Sequence, residues 1–515
     1  MYDRRASGIL LHPTSLPGPG GIGDLGSGAY RFVDWLAAAR QRRWQIMPLG
    51  PTSYGDSPYA SLSALAGNPL LISLERLIED GFLARSELDE APAFPAEHVD
   101  FGAVIPWKMS VLERAYASFV AGQQPQQRAA FEQFQADHAA WLDDFTLFMA
   151  LKNAHGGAAW SDWELPIRQR QPQAVAEYRA SLAEQIEFQK FLQWQFFTHW
   201  LDLKRYANER DIKIIGDIPI FVAPDSADVW ANPELFYLDE QGTPTVVAGV
   251  PPDYFSATGQ RWGNPLYRWD VLKRRGYDWW LERFRITLTL VDIVRLDHFR
   301  GFEAYWEVPA AEETAINGKW IKGPGSALFT AIAERFGSPP IIAEDLGLIT
   351  RAVDELRDEL GFPGMAVLQF AWGDEPTNVH QPHNYQRNLV VYTGTHDNDT
   401  TVGWWQTLDG TARQHVQEYF GIHGNDIAWD FIRVALMAVG DTAIFPMQDV
   451  LSLGSEARMN RPGHAIGNWS WRLQPHHLSD DVAQRLARLT TLYGRIPLEL
   501  NQATTDENEE PNERT

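Results

Sequence analysis

The chain has 515 residues, 44% of them hydrophobic and 22% charged, a composition that suits a globular protein with a large core and excludes disorder over most of its length. A formal net charge of -23 argues against nucleic acid or an anionic membrane as partner, because phosphate recognition needs clustered Lys and Arg. With no cysteine, the chain can form no disulfide, thiol nucleophile or thiolate metal site.

In chain order, the opening "MYDRRASGILLHPTSLPG" holds too short an apolar run for a signal peptide, and no later run would span a bilayer, so a cytoplasmic address is expected. "GILLHP" (8–13) reads as a first strand and is followed by "GPGGIGDLGSG". Those glycines lack the acidic partner and unit length of a dinucleotide site and precede no GKS or GKT, so they read as a tight turn. "WQIMPL" (44–49) is the second strand, and 84–206 is text of helical periodicity, expected to be an inserted helical subdomain. After the third strand, "KIIGDIPI" (213–220), the segment 221–285 is rich in Gly, Pro, Asp and aromatics; it includes "GVPPDYFSATGQRWGNP" (249–265).

Five more strand-like runs follow: "DIVRLDHF" (292–299), "PIIAEDLG" (340–347), "GMAVLQFAW" (364–372), "NLVVYTGTHDND" (388–399) and "DTAIFPMQDV" (441–450). Helical text such as "SALFTAIAERFG" and "TRAVDELRDELGF" separates them. Eight strands alternating with helices predict an α/β protein built as a (β/α)8 TIM barrel over 1–500, with an open doubly wound sheet as the alternative. The acidic, aperiodic 501–515 is expected to be a disordered tail.

In barrels of this kind the active site forms at the C-terminal strand ends. Those ends supply Asp217, Arg295 with Asp297, Glu344 with Asp345, and His396 with Asp397 and Asp399. Each has an ordinary structural reading as a cap or an ion pair, but several carboxylates around one mouth repel one another and are costly to desolvate. Paired carboxyls suit glycosidic bond chemistry, in which one protonates the leaving oxygen and another attacks the anomeric carbon or activates water. Metal-assisted hydrolysis is the competitor, and the chain has neither an HExxH motif nor an EF-hand loop. Tryptophan is abundant, and Trp230, Trp262, Trp372 and Trp469 lie in loop-like text where a flat ring could stack on sugar, or else serve as a packing aromatic.

Taken together, "RLDHFRG", "AEDLG", "GTHDNDT", "LLHPTSLPGPGGIGDLG" and "YGDSPYASLSALAGNP" resemble the 4-α-glucanotransferases called amylomaltases or disproportionating enzymes, glycoside hydrolase family 77 of the α-amylase superfamily. The resemblance implies transfer of α-1,4-glucan segments between malto-oligosaccharides, with glucose as acceptor or product. It also implies that no metal or organic cofactor takes part and that a covalent glucosyl-enzyme intermediate forms. Carried across, it makes Asp297 the nucleophile, Glu344 the general acid and then base, and Asp397 the stabiliser of the distorted sugar. Arg295, on the strand face of Asp297, is expected to hold that carboxylate ionised, with a low pKa. Glu344 is expected to have a raised pKa, and the two carboxyls to lie roughly 5 to 5.5 Å apart as retention requires.

The same likeness makes 249–265 a lid with Gln260 and Trp262 on the acceptor side. It also puts Tyr59 and Ser57 against glucose, and His396 as a donor to a sugar hydroxyl. His298 faces away from Asp297 in an ideal strand, and both rim packing and sugar contact stay open for it. The alternatives are an α-1,4-glucan hydrolase of the same superfamily and a non-catalytic glycan-binding barrel.

Overall fold

The computed structural model describes residues 5–122, 124–252, 256–372, 376–464 and 466–496. The expected acidic tail and residues 253–255 of the lid segment lie outside the described residues. Twelve strands occur among them: β1 (Ala6–Leu10), β2 (Arg43–Gln45), β3 (Lys213–Pro219), β4 (Val246–Val250), β5 (Gln260–Pro265), β6 (Ile293–Asp297), β7 (Ala304–Pro309), β8 (Lys319–Lys322), β9 (Ile341–Ala343), β10 (Gly364–Val367), β11 (Leu389–Tyr392) and β12 (Thr442–Pro446).

Eight of these form one parallel sheet in the order β10-β11-β12-β1-β2-β3-β6-β9, so each barrel strand except β10 neighbours its predecessor in the chain and the last pairs with the first. The remaining gap, between β9 and β10, is bridged by Ala343 N–H donating to Pro363 O at 2.9 Å. The protein is therefore a nearly closed (β/α)8 barrel, and not the open doubly wound sheet. Such strands are covered by helices, which is why β1, β10 and β12 are buried at every position and read as mainly apolar runs.

The observed strands stop earlier than the apolar runs suggested. β9 ends at Ala343 and β11 at Tyr392, so Glu344, His396 and Asp397 stand on the loops just beyond the strand ends. The insertion after β2 contains the long helices Phe101–Ala121, Pro125–Ala154 and Ala183–Glu209. The last of these packs on β3 and so also serves as a barrel helix. β5, β4, β7 and β8 make a separate antiparallel sheet, in that order. Because β7 follows β6 after one short helix, Arg300–Glu303, this accessory sheet starts directly from the end of β6.

The glycine-rich turn after β1 is set by close approach of backbone. A Cβ at Gly28 would lie 1.9 Å from Pro17 O, and one at Gly23 would lie 2.1 Å from Pro13 O. No helix among the described residues is long and apolar enough to cross a membrane.

Candidate active site

Register brings the first charges together. β3 and β6 run parallel with Asp217 directly opposite Arg295, and side chains opposite each other on one face touch. Arg295 Nη1 donates to Asp217 Oδ2 at 2.5 Å and to Asp297 Oδ1 at 3.0 Å, so one guanidinium serves two carboxylates. Asp217 is fully buried and also accepts from the Tyr59 hydroxyl at 2.8 Å. The Tyr59 ring then stacks on His396, centroids 5.0 Å apart, while Ser57 Oγ accepts from the Tyr59 backbone N–H.

β6 also pairs with β9, Leu296 opposite Ala343, which places the next residue, Glu344, beside the end of β6. Its carboxyl accepts two backbone N–H bonds, from His298 at 2.7 Å and Leu346 at 2.8 Å. Loss of hydration, and after it the charge of Asp297, raise the Glu344 pKa to about 8, against the smaller pull of Arg295 and the two N–H donors. Asp297 does not stay low as the sequence suggested. Loss of hydration raises it to about 6 even though Arg295 pulls it down, and Asp217, which holds the same guanidinium, adds a further upward push. The order of the two carboxyls is nonetheless the expected one: near neutral pH Asp297 is mainly ionised and Glu344 mainly protonated.

The loop after β11 is fixed from below. Buried Asp449 accepts from Thr393 Oγ1, Thr401 Oγ1 and the Thr401 N–H, and Thr400 caps the following helix by accepting from the Gly403 N–H. That leaves Asp397 partly open to solvent, with Oδ1 accepting from Asn460 Nδ2 at 2.6 Å and lying 3.4 Å from His396 Nε2. Asp399 is turned away, accepting from Ser455 Oγ and the Thr400 N–H. Asp345 is likewise turned away and pairs with Arg357 at 2.6 Å.

His298 departs from the alternation expected of a strand. The strand ends at Asp297, and His298 adopts a left-handed backbone with φ 53°. This turns its side chain toward the mouth, where its ring meets Trp262 of β5 edge-on, centroids 4.8 Å apart. Burial, and secondarily Arg300, lower its pKa to about 3, so the imidazole is neutral. Trp262 Nε1 in turn donates to Gln260 Oε1 at 3.2 Å.

One cavity of about 290 Å³ gathers Ser57, Tyr59, Gln260, Trp262, Asp297, His298, His396 and Asp397. Arg295, Asp217 and Glu344 support it from the strand ends. Asn460, Asn264 and Trp469, with Pro219, Ile220 and Phe221 after β3, complete the wall. Asn460 is not marked in the sequence, because it follows β12 in "MNRPGHAIGNW", where neither period nor charge singles it out; the Asn, Pro, Gly and Trp beyond a strand end are the available signal. Of the four tryptophans in loop-like text, Trp262 and Trp469 reach the cavity. Trp230 lies in a short helix, wholly buried among Phe148, Trp163 and Arg170, and Trp372 packs on Tyr419 and Phe420. "ANP" after Trp230 ends a helix instead of making a sugar-facing loop.

A neutral acid, an ionised carboxylate, a third carboxylate and aromatic walls around one cavity suit attack at an anomeric carbon with protonation of the departing oxygen. Comparison with known proteins agrees. The sequence model of glycoside hydrolase family 77, 4-alpha-glucanotransferase, matches residues 11–479. A 4-alpha-glucanotransferase of Thermus thermophilus is 52% identical over 500 residues, covering 96% of this chain and 99% of that one. One from Synechocystis sp. is 52% identical over 499 residues, with the same coverage. Among solved structures, an amylomaltase from Streptococcus agalactiae in complex with acarbose superposes with a TM-score of 0.93 at 40% identity, covering 96% of this chain and 100% of that one.

Proposed function

The chain belongs to the 4-alpha-glucanotransferases of glycoside hydrolase family 77 and is an enzyme of that activity, and from this premise we propose how its residues perform the transfer. Asp297 attacks the anomeric carbon of an α-1,4-linked donor while Glu344 protonates the departing oxygen, giving a covalent glucosyl-enzyme and a shortened glucan. Esterified Asp297 is neutral, so a leading cause of the high Glu344 pKa disappears. Glu344 then becomes the base that takes the proton of an acceptor hydroxyl, and the acceptor oxygen displaces Asp297 with net retention. Asp397, oriented by Asn460, binds the secondary hydroxyls of the distorted sugar. His396, Tyr59 and Ser57 surround the donor glucose, with Asp217 and Arg295 holding that wall from behind, and Gln260, Trp262 and His298 surround the acceptor.

The observation that carries this reading is the split pair, Glu344 raised to about 8 beside Asp297 at about 6, at adjoining strand ends. Free malto-oligosaccharides as substrates, glucose as acceptor or product, and a cytoplasmic setting belong to the same proposal. The hydrolase alternative is not favoured, since the relatives found are named as transferases.

The test is a time course on maltotriose alone, with products resolved by chromatography and reducing ends assayed in parallel. The expected result is glucose plus a ladder of longer maltodextrins at nearly constant reducing ends. Asp297→Asn should abolish the ladder, by about 10⁴-fold or more, while maltotriose binding persists. An active Asp297→Asn variant would overturn the assignment of the nucleophile.

A further inference from the structure

The strand of the accessory sheet that borders the cavity is irregular. β4 pairs with β5 at Val247↔Pro265 and again at Gly249↔Arg261, so β5 uses four residues where β4 uses two. The excess is a bulge at Trp262, Gly263 and Asn264, and Gly263 takes a left-handed backbone with φ 84°, which glycine adopts without steric cost. Bulges re-aim side chains, and both Trp262 and Asn264 line the cavity that holds Asp297 and Asp397. The mechanism above gives Asn264 no part. Its Nδ2 donates to Val222 O at 2.9 Å, on the loop that follows β3. A carbonyl accepts only from the nitrogen of an amide, so this bond settles which end of the side chain is which. Oδ1 is left as a free acceptor: no donor among the described residues reaches it, and it stays open to solvent on the half-buried side chain. Bulge and amide anchor together fix this oxygen before any sugar arrives.

We propose that Asn264 is a specificity-determining residue for the acceptor: its Oδ1 accepts a hydrogen bond from one hydroxyl of the sugar beside Trp262. This rests on the reading above, which places the acceptor on that side. Glu344 serves the oxygen that departs or enters, and Trp262 stands near it, since its ring meets His298 and the His298 N–H holds Glu344. Asn264 belongs to the same bulge, while Tyr59 and His396 stack on each other at the donor wall. An oxygen that only accepts favours a hydroxyl over a hydrogen at the position it faces, so a sugar lacking that hydroxyl is the poorer acceptor. The 4-hydroxyl is the one joined to the anomeric carbon when an α-1,4 bond forms. The 1-, 2-, 3- and 6-hydroxyls are therefore the groups Asn264 can read.

A cycle between residue and hydroxyl tests this. The full chain is given maltotriose as donor, with isotopically labelled glucose or its 1-, 2-, 3- or 6-deoxy analogue as acceptor. Initial incorporation of the offered sugar into maltodextrin is read by mass spectrometry. In wild type, one deoxy sugar should have kcat/KM about tenfold below glucose, as loss of one neutral hydrogen bond implies. Asn264→Ala should lower glucose about tenfold and leave that deoxy sugar unchanged, so that the two become equal. Equal losses on every sugar would confine Asn264 to holding the bulge and overturn the proposal, as would an unchanged profile or a wild type indifferent to all four hydroxyls. Asn264→Asp keeps an acceptor oxygen without the donor to Val222 O and should keep the wild-type preference. Should Asn264→Ala fail to fold, loss of the preference in Asn264→Asp overturns the proposal in its place. Failure of wild type to incorporate any of the sugars would instead overturn the reading on which it rests.

Discussion

Replacing Arg295 by Met should move the pH dependence of the enzyme in a direction fixed by the charges around it. With Asp297 as the proposed nucleophile, activity should rise as pH climbs through its pKa, about 6; with Glu344 as the proposed acid, it should fall as pH climbs through about 8. The wild-type optimum is therefore expected midway, near pH 7. Arg295 Nη1 stands 3.0 Å from Asp297 Oδ1, and unit charges at that distance interact by roughly 5 kcal/mol at an effective dielectric of 20. Sharing with Asp217 and water entering the vacated space return about half, which leaves roughly two pKa units. The acidic limb of kcat/KM on maltotriose should then rise from near 6 toward 8, and activity at pH 7 should fall about tenfold from ionisation alone. Glu344, which Arg295 also pulls down, should shift upward too, so the whole profile moves alkaline. Arg295→Lys, which keeps the charge, should return the acidic limb toward its original place. A uniformly lower profile with unmoved limbs in Arg295→Met would refute the charge argument and leave Arg295 with a packing role only.

Two further expectations are independent of that one. Asn460→Ala removes the 2.6 Å hydrogen bond that orients Asp397; a bond to a charged group contributes about 1.5–3 kcal/mol, so kcat should fall about ten- to a hundredfold with KM less affected, as steady-state kinetics would show. Arg495, wholly buried, donates to carbonyls of Ala6, Ala435, Leu436, Ala438, Gly440 and Asp441, closing the end of the helix Ile427–Met437 over the start of β1. Arg495→Met removes all these donations, leaving the carbonyls of Leu436 and Ala438 to Arg5 and that of Asp441 to the Ala6 N–H, and should cost about 3 kcal/mol in urea unfolding, while kcat at 25 °C stays close to wild type.

The alternation of eight strands with helices, and the place where their polar ends would gather, were readable in the sequence, while closure into a barrel was seen only in the coordinates. Strands covered on both faces must be continuous apolar runs, and a run that ends in Asp, Glu or His has reached water or substrate, so the order of strands and the polar ends could be read without coordinates. Asp297, Glu344 and Asp397 stood out for that reason among the candidates at the strand ends, and the motifs around them carried the family likeness and their proposed roles. Tertiary structure decided what the period of a strand cannot encode. His298 reaches the cavity only because the chain turns left-handed after Asp297, a backbone choice set by the closing turn and the room beside Gly301. Arg295 serves two carboxylates because β3 and β6 register Asp217 against it, and burial, with the charge of Asp217 added to it, lifts Asp297 to about 6 against the pull of Arg295. Asn460 meets Asp397 across 63 positions of chain, a contact that depends on how the loops after β11 and β12 fold over one another. Local pattern fixes which face of an element is apolar; which distant charges share a dry space depends on closure of the barrel, and the pKa values follow from that space.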